Sequence, residues 1–293
     1  MQRGRYYLGR VKKHGVLDNT KLLEAIINAP TLNIGKFAWT ITDVEDQRDF
    51  EIPYIFGFLS KFSYEGHVTV VDEETKSSIE AIAPNLLIAR TPFVYLLNFS
   101  GIAYMHAWNG ISEEIFPSRF KKIINAAHGN FFVDCEIEAI ADYRAFSSKL
   151  EKLEAISEIQ AKVHPPNPLF GRLWGSLNDY ISERNASEVF VKENSQKEAG
   201  LKTKILQLMQ RILEDPNYEP NLPPSISDAA VLMAADGYGR GRVSGTQNGE
   251  VVVIRTSETQ KSFLFSKTPV SEQLALQAHK YFLAINKERD MRH

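Results

Sequence analysis

The sequence predicts an α+β protein: a mixed or antiparallel sheet first, then a helical middle, then a C-terminal β-hairpin with a helix. Short aromatic and β-branched runs separated by turn residues fill the first half, which is typical of antiparallel strands. Between residues 150 and 163 the apolar residues recur at helical spacing instead. After residue 237, two apolar runs flank Asn248-Gly249, a dipeptide that strongly favours a two-residue hairpin turn.

The change of spacing divides the chain of 293 residues into two predicted units. Residues 1–146 are predicted to form a mixed α+β domain. Residues 147–293 are predicted to form a helical segment with the C-terminal hairpin and helix. Domains typically contain about 100–150 residues, so this length suits one large or two small domains.

Strands are predicted in the first unit wherever aromatic and β-branched residues cluster between turns. They comprise residues 6–11, 37–42, 54–62, 67–71, 86–89, 93–97, 102–107 and 131–141. In the last strand, apolar residues alternate with Asp134, Glu136 and Glu138, which predicts a half-buried strand with a solvated acidic face. Asp18 suits the N-cap of one helix, and a second helix is predicted over residues 118–127.

The second unit is predicted to begin with three helices, because apolar residues recur at helical spacing. These helices comprise residues 150–163, 169–181 and 197–214. The proline-rich residues 215–224 are interpreted as an ordered linker. Strands are then predicted over residues 237–244, 250–255 and 262–265, before a closing helix with apolar residues from Leu274 to Ile285.

The charge is unevenly distributed along the chain. The formal net charge is −2, so no global attraction to nucleic acid is expected. Residues 1–17 are basic, residues 43–80 are strongly acidic, and the chain from residue 237 onward is basic again. Basic ends around an acidic body predict a surface for a polyanion if both ends fold onto one face. The alternative is that these charges only solvate the surface.

A glycine-arginine segment near the C-terminus is the most unusual local feature. Tyr238, Arg240 and Arg242 alternate with glycines, so a strand here would place them on one face, suited to phosphate contact and base stacking. The alternative is a glycine-kinked strand whose arginines pair with acids such as Asp236. The predicted nucleic-acid contacts are these three residues and the N-terminal cations Arg3, Arg5, Arg10, Lys12 and Lys13.

A metal-dependent nuclease is the first alternative function, and a purely protein-binding subunit whose exposed aromatic residues form an interface is the second. Phosphodiester cleavage uses carboxylates to hold the ion and often a lysine beside them. Glu74 and Lys76 follow an apolar strand, and Asp49 lies upstream, as in the acid-then-E-x-K order of restriction-type nucleases. The same residues also suit a solvated polar hairpin turn, which needs no catalytic role.

Other chemistry has no signature in the sequence. The seven histidines are scattered without a metal-binding motif, and the glycine-rich segment lacks the lysine of a phosphate-binding loop, so no metal and no cofactor are predicted. Cys135 is expected to face the core of its strand, where a thiol is inert. The chain has neither a signal-peptide pattern nor an apolar run of about 18 residues, which predicts a cytoplasmic location.

The order of the predicted elements, together with two segments of sequence, carries a resemblance to known proteins. The segments are NLLIARTPFVYLLNFSGIAYMHAWNGI and AADGYGRGRVSG, the latter placed before a terminal helix. In this arrangement the chain resembles bacterial proteins found among anti-phage defence genes. More distantly, it is similar to the DNA-binding sensor of the lambda-phage Rex exclusion system and to the DNA-binding subunit of the Kiwa system.

The resemblance implies a function. A homodimer would bind double-stranded DNA without sequence preference and act in phage defence with a partner protein from the same operon. The expected role is therefore a non-enzymatic nucleic-acid-binding sensor or adaptor. The overall acidity of this chain is a departure from that pattern.

Overall fold

Two antiparallel sheets organise the chain, as seen in a computed structural model, and the predicted α+β fold class is confirmed. The structure describes residues 2–108, 110–165, 170–171, 174–196, 199–215, 217–218, 224–289 and 291–292. None of the helices in these ranges is long and apolar enough to cross a membrane.

The larger sheet contains most of the first half of the chain. Its strands are β1 (Arg3–Gly15), β2 (Leu32–Ile34), β3 (Phe37–Gln47), β4 (Tyr54–Asp72), β5 (Ser77–Leu96), β6 (Gly101–Met105), β7 (Val133–Ala139) and β13 (Ser262–Ser266). They run in the order β13-β1-β6-β5-β4-β3-β2, and β7 also pairs with β1. The first half of β1 pairs with β13, and its second half pairs with β7. The last strand of this sheet therefore comes from the C-terminal part of the chain.

The smaller sheet lies in the second half of the chain, in the order β10-β8-β11-β12. Its strands are β8 (Ala155–Val163), β10 (Val189–Asn194), β11 (Gly239–Gln247) and β12 (Glu250–Arg255). Asn248 and Gly249 both have positive φ in the turn between β11 and β12, so the hairpin predicted there is confirmed. A separate short pair joins β9 (Phe170–Gly171) to β14 (Met291–Arg292).

Helices cover both faces of the larger sheet. They are α1 (Asn19–Ile27), α2 (Ile115–Ala127), α3 (Tyr143–Leu150), α4 (Gly175–Glu183), α5 (Ile205–Glu214), α6 (Ile226–Met233) and α7 (Ser271–Glu288). One hydrophobic core contains residues of α1 and α2. The other contains residues of the five helices α3, α4, α5, α6 and α7 and of both sheets. Asp18 caps α1 as predicted, because its side chain accepts a hydrogen bond from the Lys21 backbone N–H.

The helix predicted over residues 150–163 is wrong. The chain leaves α3 at Leu150 and forms β8, which pairs with β10 on one side and β11 on the other. Ile159, Ala161 and Val163 are buried at alternate positions. The wider set of apolar residues, at 150, 153, 156, 159 and 163, also fits helical spacing. The backbone pairing that selects a strand depends on residues far along the chain. The start of the second predicted helix and most of the predicted linker lie outside the described residues.

One hairpin extends beyond the rest of the larger sheet. Residues 63–72 of β4 and 77–86 of β5 pair only with each other among the described strands. We call these two stretches the distal ribbon. At about 3.3 Å per residue it is roughly 30 Å long.

Candidate functional site

The second half of β1 carries three polar side chains on the face that meets the smaller sheet. Arg10, Lys12 and His14 occupy alternate positions and therefore share one face. Directly opposite them on β7 are Glu138, Glu136 and Asp134. The acidic face predicted to be solvated is therefore covered in part: Glu138 is buried, and the other two carboxylates are half-buried.

Arg10 is a buried structural residue. Its side chain is 1% exposed, so the prediction that it contacts nucleic acid is not supported by its position. Nε donates to the Asp236 carbonyl at 2.9 Å, and Nη1 donates to the Phe99 carbonyl at 2.9 Å. The guanidinium also lies 4.9 Å from the ring centroid of Tyr238, which is itself buried and so cannot stack on a base.

The carboxylate of Asp236 is the centre of a buried hydrogen-bond network beside Arg10. It lies in a π-helical turn, Ala234–Tyr238, that precedes β11. It accepts hydrogen bonds from Tyr143 Oη, Trp174 Nε1 and Arg289 Nη1, each at 2.7 Å. These donors come from three different parts of the chain, so the network fixes their relative positions.

Lys12 is also buried, at 8% exposure, and its position does not support a phosphate contact. Its Nζ has no hydrogen-bond partner among the described residues. Burial lowers the pKa of Lys12 to about 7, against the opposing attraction of Glu138 and Glu136. Burial likewise raises the pKa of Glu138 above its usual range.

Arg240 and Arg242 are paired with carboxylates on neighbouring strands. Arg240 is 69% exposed, but its Nε donates at 3.2 Å to both carboxylate oxygens of Glu138. Arg242 Nη2 donates at 2.8 Å to Glu158. Both arginines therefore follow the alternative of a glycine-containing strand with paired arginines, although the acids are not Asp236.

The glycines of this segment allow the backbones to approach closely. Gly239 has a φ of +155°, and a Cβ there would lie 2.0 Å from the Lys162 carbonyl oxygen of β8. A side chain at this position would therefore force β8 and β11 apart. Gly239 therefore serves strand pairing between β8 and β11.

The N-terminal cations divide between the two faces of β1. Alternation places Arg3, Arg5 and Lys13 on the face opposite Arg10 and Lys12. Lys13 is half-buried, and its Nζ donates to Ser100 Oγ at 3.0 Å. Burial lowers the pKa of Lys13. The eight predicted contacts are therefore not brought onto one surface.

Arg3 and Arg5 remain exposed at the start of β1. Arg5 Nη1 donates to Ser262 Oγ at 3.0 Å, and no carboxylate among the described residues lies within ion-pair distance of either guanidinium. Lys267 is close to this end of the strand, since its backbone N–H donates to the Gln2 carbonyl. We call Arg3, Arg5 and Lys267 the N-terminal basic patch.

An exposed tryptophan lies near this patch. The His106 backbone N–H donates to the Arg5 carbonyl, and the ring of Trp108 lies 5.3 Å from that of His106. Trp108 is 87% exposed. Trp108 is two residues from His106, the backbone partner of Arg5, whose guanidinium has no carboxylate partner among the described residues. An exposed aromatic ring in the same region as such a guanidinium is a combination suited to nucleic acid.

Histidines that are distant in sequence meet beside Lys12. His14 of β1 and His164, just after β8, have ring centroids 5.0 Å apart. His14 Nε2 lies 4.0 Å from Glu136 Oε2. Burial, together with the Lys12 ammonium and His14, lowers the pKa of His164 to about 4, so the imidazole is neutral at pH 7.

The sequence provides little signal for this meeting. His14 and Glu136 could be placed together from the pairing of two alternating strands. His164 could not, because its segment has helical spacing and the smaller sheet forms through residues far apart in the chain. The scatter of the histidines along the sequence gives no indication that these two meet.

The three residues of the alternative nuclease site do not meet. Asp49 lies in the turn before β4, whereas Glu74 and Lys76 lie in the turn after it. The 19 residues of β4 separate these turns, which at about 3.3 Å per residue is a path of about 60 Å. The backbone N–H of Glu74 donates to Asp72 Oδ1, as in a polar hairpin turn.

Comparison with known proteins adds no identification: the chain matches no protein-family model and no curated protein sequence.

Proposed function

We propose that the chain is a non-enzymatic sensor or adaptor that binds double-stranded DNA without sequence preference in bacterial anti-phage defence. The observation that carries the binding is the N-terminal basic patch, where Arg3 and Arg5 are exposed and have no carboxylate partner among the described residues. The arginines of β11, in contrast, are neutralised by glutamates. The resemblance to defence proteins supports the biological setting.

Binding to phosphates explains the absence of sequence preference. Guanidinium and ammonium groups contact the DNA backbone, which carries no base information. Each neutralised phosphate contributes about −0.9 to the slope of log affinity against log salt on duplex DNA. A patch of three cations therefore gives a modest slope per chain, and two chains give twice that slope.

The homodimer forms through the distal ribbon. A two-stranded ribbon is marginally stable alone, so its apolar side chains need a cover. One face contains the opposed pairs Val68–Ala81 and Val70–Ile79, with Tyr64 further along. This face bears no charged residue between Tyr64 and Val70 or between Ile79 and Asn85. A copy of the same face can therefore pack on it without burying like charges, as two-fold symmetry requires.

A partner protein from the same operon then acts with this dimer.

The dimer is tested by light scattering. Val70→Lys with Ile79→Lys places charges on the proposed contact and should give a monomer mass at micromolar concentration. Val71→Lys, on the opposite face of the ribbon, is the matched control and should leave the dimer intact. A monomeric wild-type protein, or equal loss in both variants, would contradict dimerisation through this face.

DNA binding is tested by gel shift with two duplexes of unrelated sequence, with and without magnesium. Arg3→Glu with Arg5→Glu should abolish the shift of both duplexes, while the wild-type protein leaves both uncut. Arg48→Glu, which removes an exposed arginine paired with Asp46, is the matched control. No shift by the wild-type protein, or cleavage that needs magnesium, would contradict the proposal.

A further inference from the structure

We propose that His14, Glu136 and His164 form a site for a divalent transition metal such as zinc, joining the two sheets. Each residue offers one donor atom, and these three atoms all lie within 4.8 Å of one another. His14 belongs to β1 and Glu136 to β7, while His164 directly follows β8 of the smaller sheet. Two imidazoles with one carboxylate form a donor set used by catalytic zinc sites.

The separations fit a tetrahedral ion after small side-chain movements. With metal–ligand distances of about 2.1 Å, two tetrahedral donors lie about 3.4 Å apart. His14 Nε2 and Glu136 Oε2 are 4.0 Å apart. Two imidazoles on one such ion have ring centroids separated by about 5 Å. The observed separation between the His14 and His164 rings is 5.0 Å, with a 62° angle between their planes.

His164 has the support expected of a metal ligand. Its Nδ1 lies 3.3 Å from the Ser187 carbonyl oxygen. A proton on Nδ1 that is donated to this carbonyl leaves the lone pair of Nε2 to bind a metal. The residue is buried, so its ring cannot turn away freely. In the proposed site this hydrogen bond selects the tautomer with the proton on Nδ1.

The unpartnered Lys12 is the second, independent observation at the site. Lys12 shares one face of β1 with His14, two residues away, and lies directly opposite Glu136 of β7. Yet its buried Nζ has no acceptor among the described residues. Three protein donors leave a tetrahedral ion one further position for water or hydroxide. An oxygen at that position is the acceptor that Lys12 lacks.

The site is reachable from solvent. The side chains of His14 and Glu136 are 26% and 27% exposed, whereas that of His164 is 6% exposed. An ion can therefore enter past the partly exposed side chains of His14 and Glu136 and bind the more deeply buried His164. Because the ligands come from both sheets, metal binding should also stabilise their contact.

The proposal is tested with Co²⁺ as a spectroscopic probe and Zn²⁺ as a competitor, on full-length protein freed of metal by a chelator. We expect one Co²⁺ per chain, with the strong visible absorption of a four-coordinate ion, and displacement by Zn²⁺. Glu136→Gln and His164→Ala should each weaken binding at least about tenfold. His67→Ala, which removes an exposed histidine of the distal ribbon, should bind as the wild type does.

Thermal unfolding provides a second measurement. Zn²⁺ should raise the melting temperature of the wild type and of His67→Ala, and at the same Zn²⁺ concentration should raise that of Glu136→Gln by less. Circular dichroism establishes that each variant is folded, and Glu136→Gln keeps the shape of the side chain. Absence of saturable binding by the wild type, or equal binding by His67→Ala and Glu136→Gln, would overturn the proposal.

Discussion

Arg3 and Arg5, in the first half of β1, are exposed, and no carboxylate among the described residues pairs with them. Arg10 and Lys12, in the second half of the same strand, are buried where β7 and the smaller sheet meet. The difference arises from what covers the strand. Positive charge on one strand therefore serves two purposes: at one end it is available to a polyanion, and at the other it joins parts of the fold.

The most destructive substitution should fall in the buried half. Asp236→Ala would remove the carboxylate that pairs with the buried Arg289 guanidinium at 2.7 Å, leaving Glu288 at 3.7 Å. Tyr143 and Trp174 would lose their acceptor. Breaking a buried ion pair from one side costs about 3–5 kcal/mol. Urea denaturation should show a loss of this size. Asp46→Ala, which removes an exposed partner of Arg48, should change stability by less than about 0.5 kcal/mol. Equal losses would mean that the network is not essential to the fold.

The two halves of β1 can be compared directly with one kind of substitution. Arg10→Met leaves the carbonyls of Phe99 and Asp236 without their donor and should cost about 2 kcal/mol. Arg3→Met removes an exposed side chain and should remain within about 0.5 kcal/mol of the wild type. Both changes in the free energy of unfolding are measured from denaturant midpoints, with the m-value unchanged. An Arg10→Met protein as stable as Arg3→Met would contradict the difference between the two halves of β1.

The free energy of unfolding should depend on pH because the Lys12 ammonium is buried. Burial lowers the pKa of Lys12 from its ordinary value of 10.5 to about 7, so the unfolded chain binds more protons between these values. Stability should therefore rise as the pH increases from about 7 to 10.5. Lys12→Met should lack this component. Unfolding is measured in chelator across this range, and parallel curves for both proteins would contradict the account.

Local patterns predicted much of the fold, and the misses have a common cause. The alternation over residues 131–141 identified β7 and the buried Cys135, and Asn248-Gly249 identified the hairpin. Each of these depends on neighbouring residues. The strand β8 and the burial of Arg10 depend on pairing with segments far along the chain, for which spacing gives no signal.

The candidate sites show the same limit. An arginine in a basic run has the same local sequence whether it is free or covered, so Arg3 and Arg10 could not be distinguished. Likewise, the local sequence around Lys12 and His14 gives no indication that His164 will lie beside His14. Whether these side chains are exposed or buried depends on how the two sheets pack against each other.

The central claim is that the exposed half of β1, and not the arginines of β11, binds DNA. The most direct measurement is a salt titration of fluorescence anisotropy on a short duplex, with wild type, Arg3→Ala with Arg5→Ala, and Arg242→Ala. The account predicts that the slope of log affinity against log salt falls in magnitude by about 1.8 per chain for the double variant, at about 0.9 for each lost phosphate contact. The slope should be unchanged for Arg242→Ala, whose guanidinium is held by Glu158. An unchanged slope in the double variant, or a reduced slope in Arg242→Ala with its fold intact, would contradict the claim.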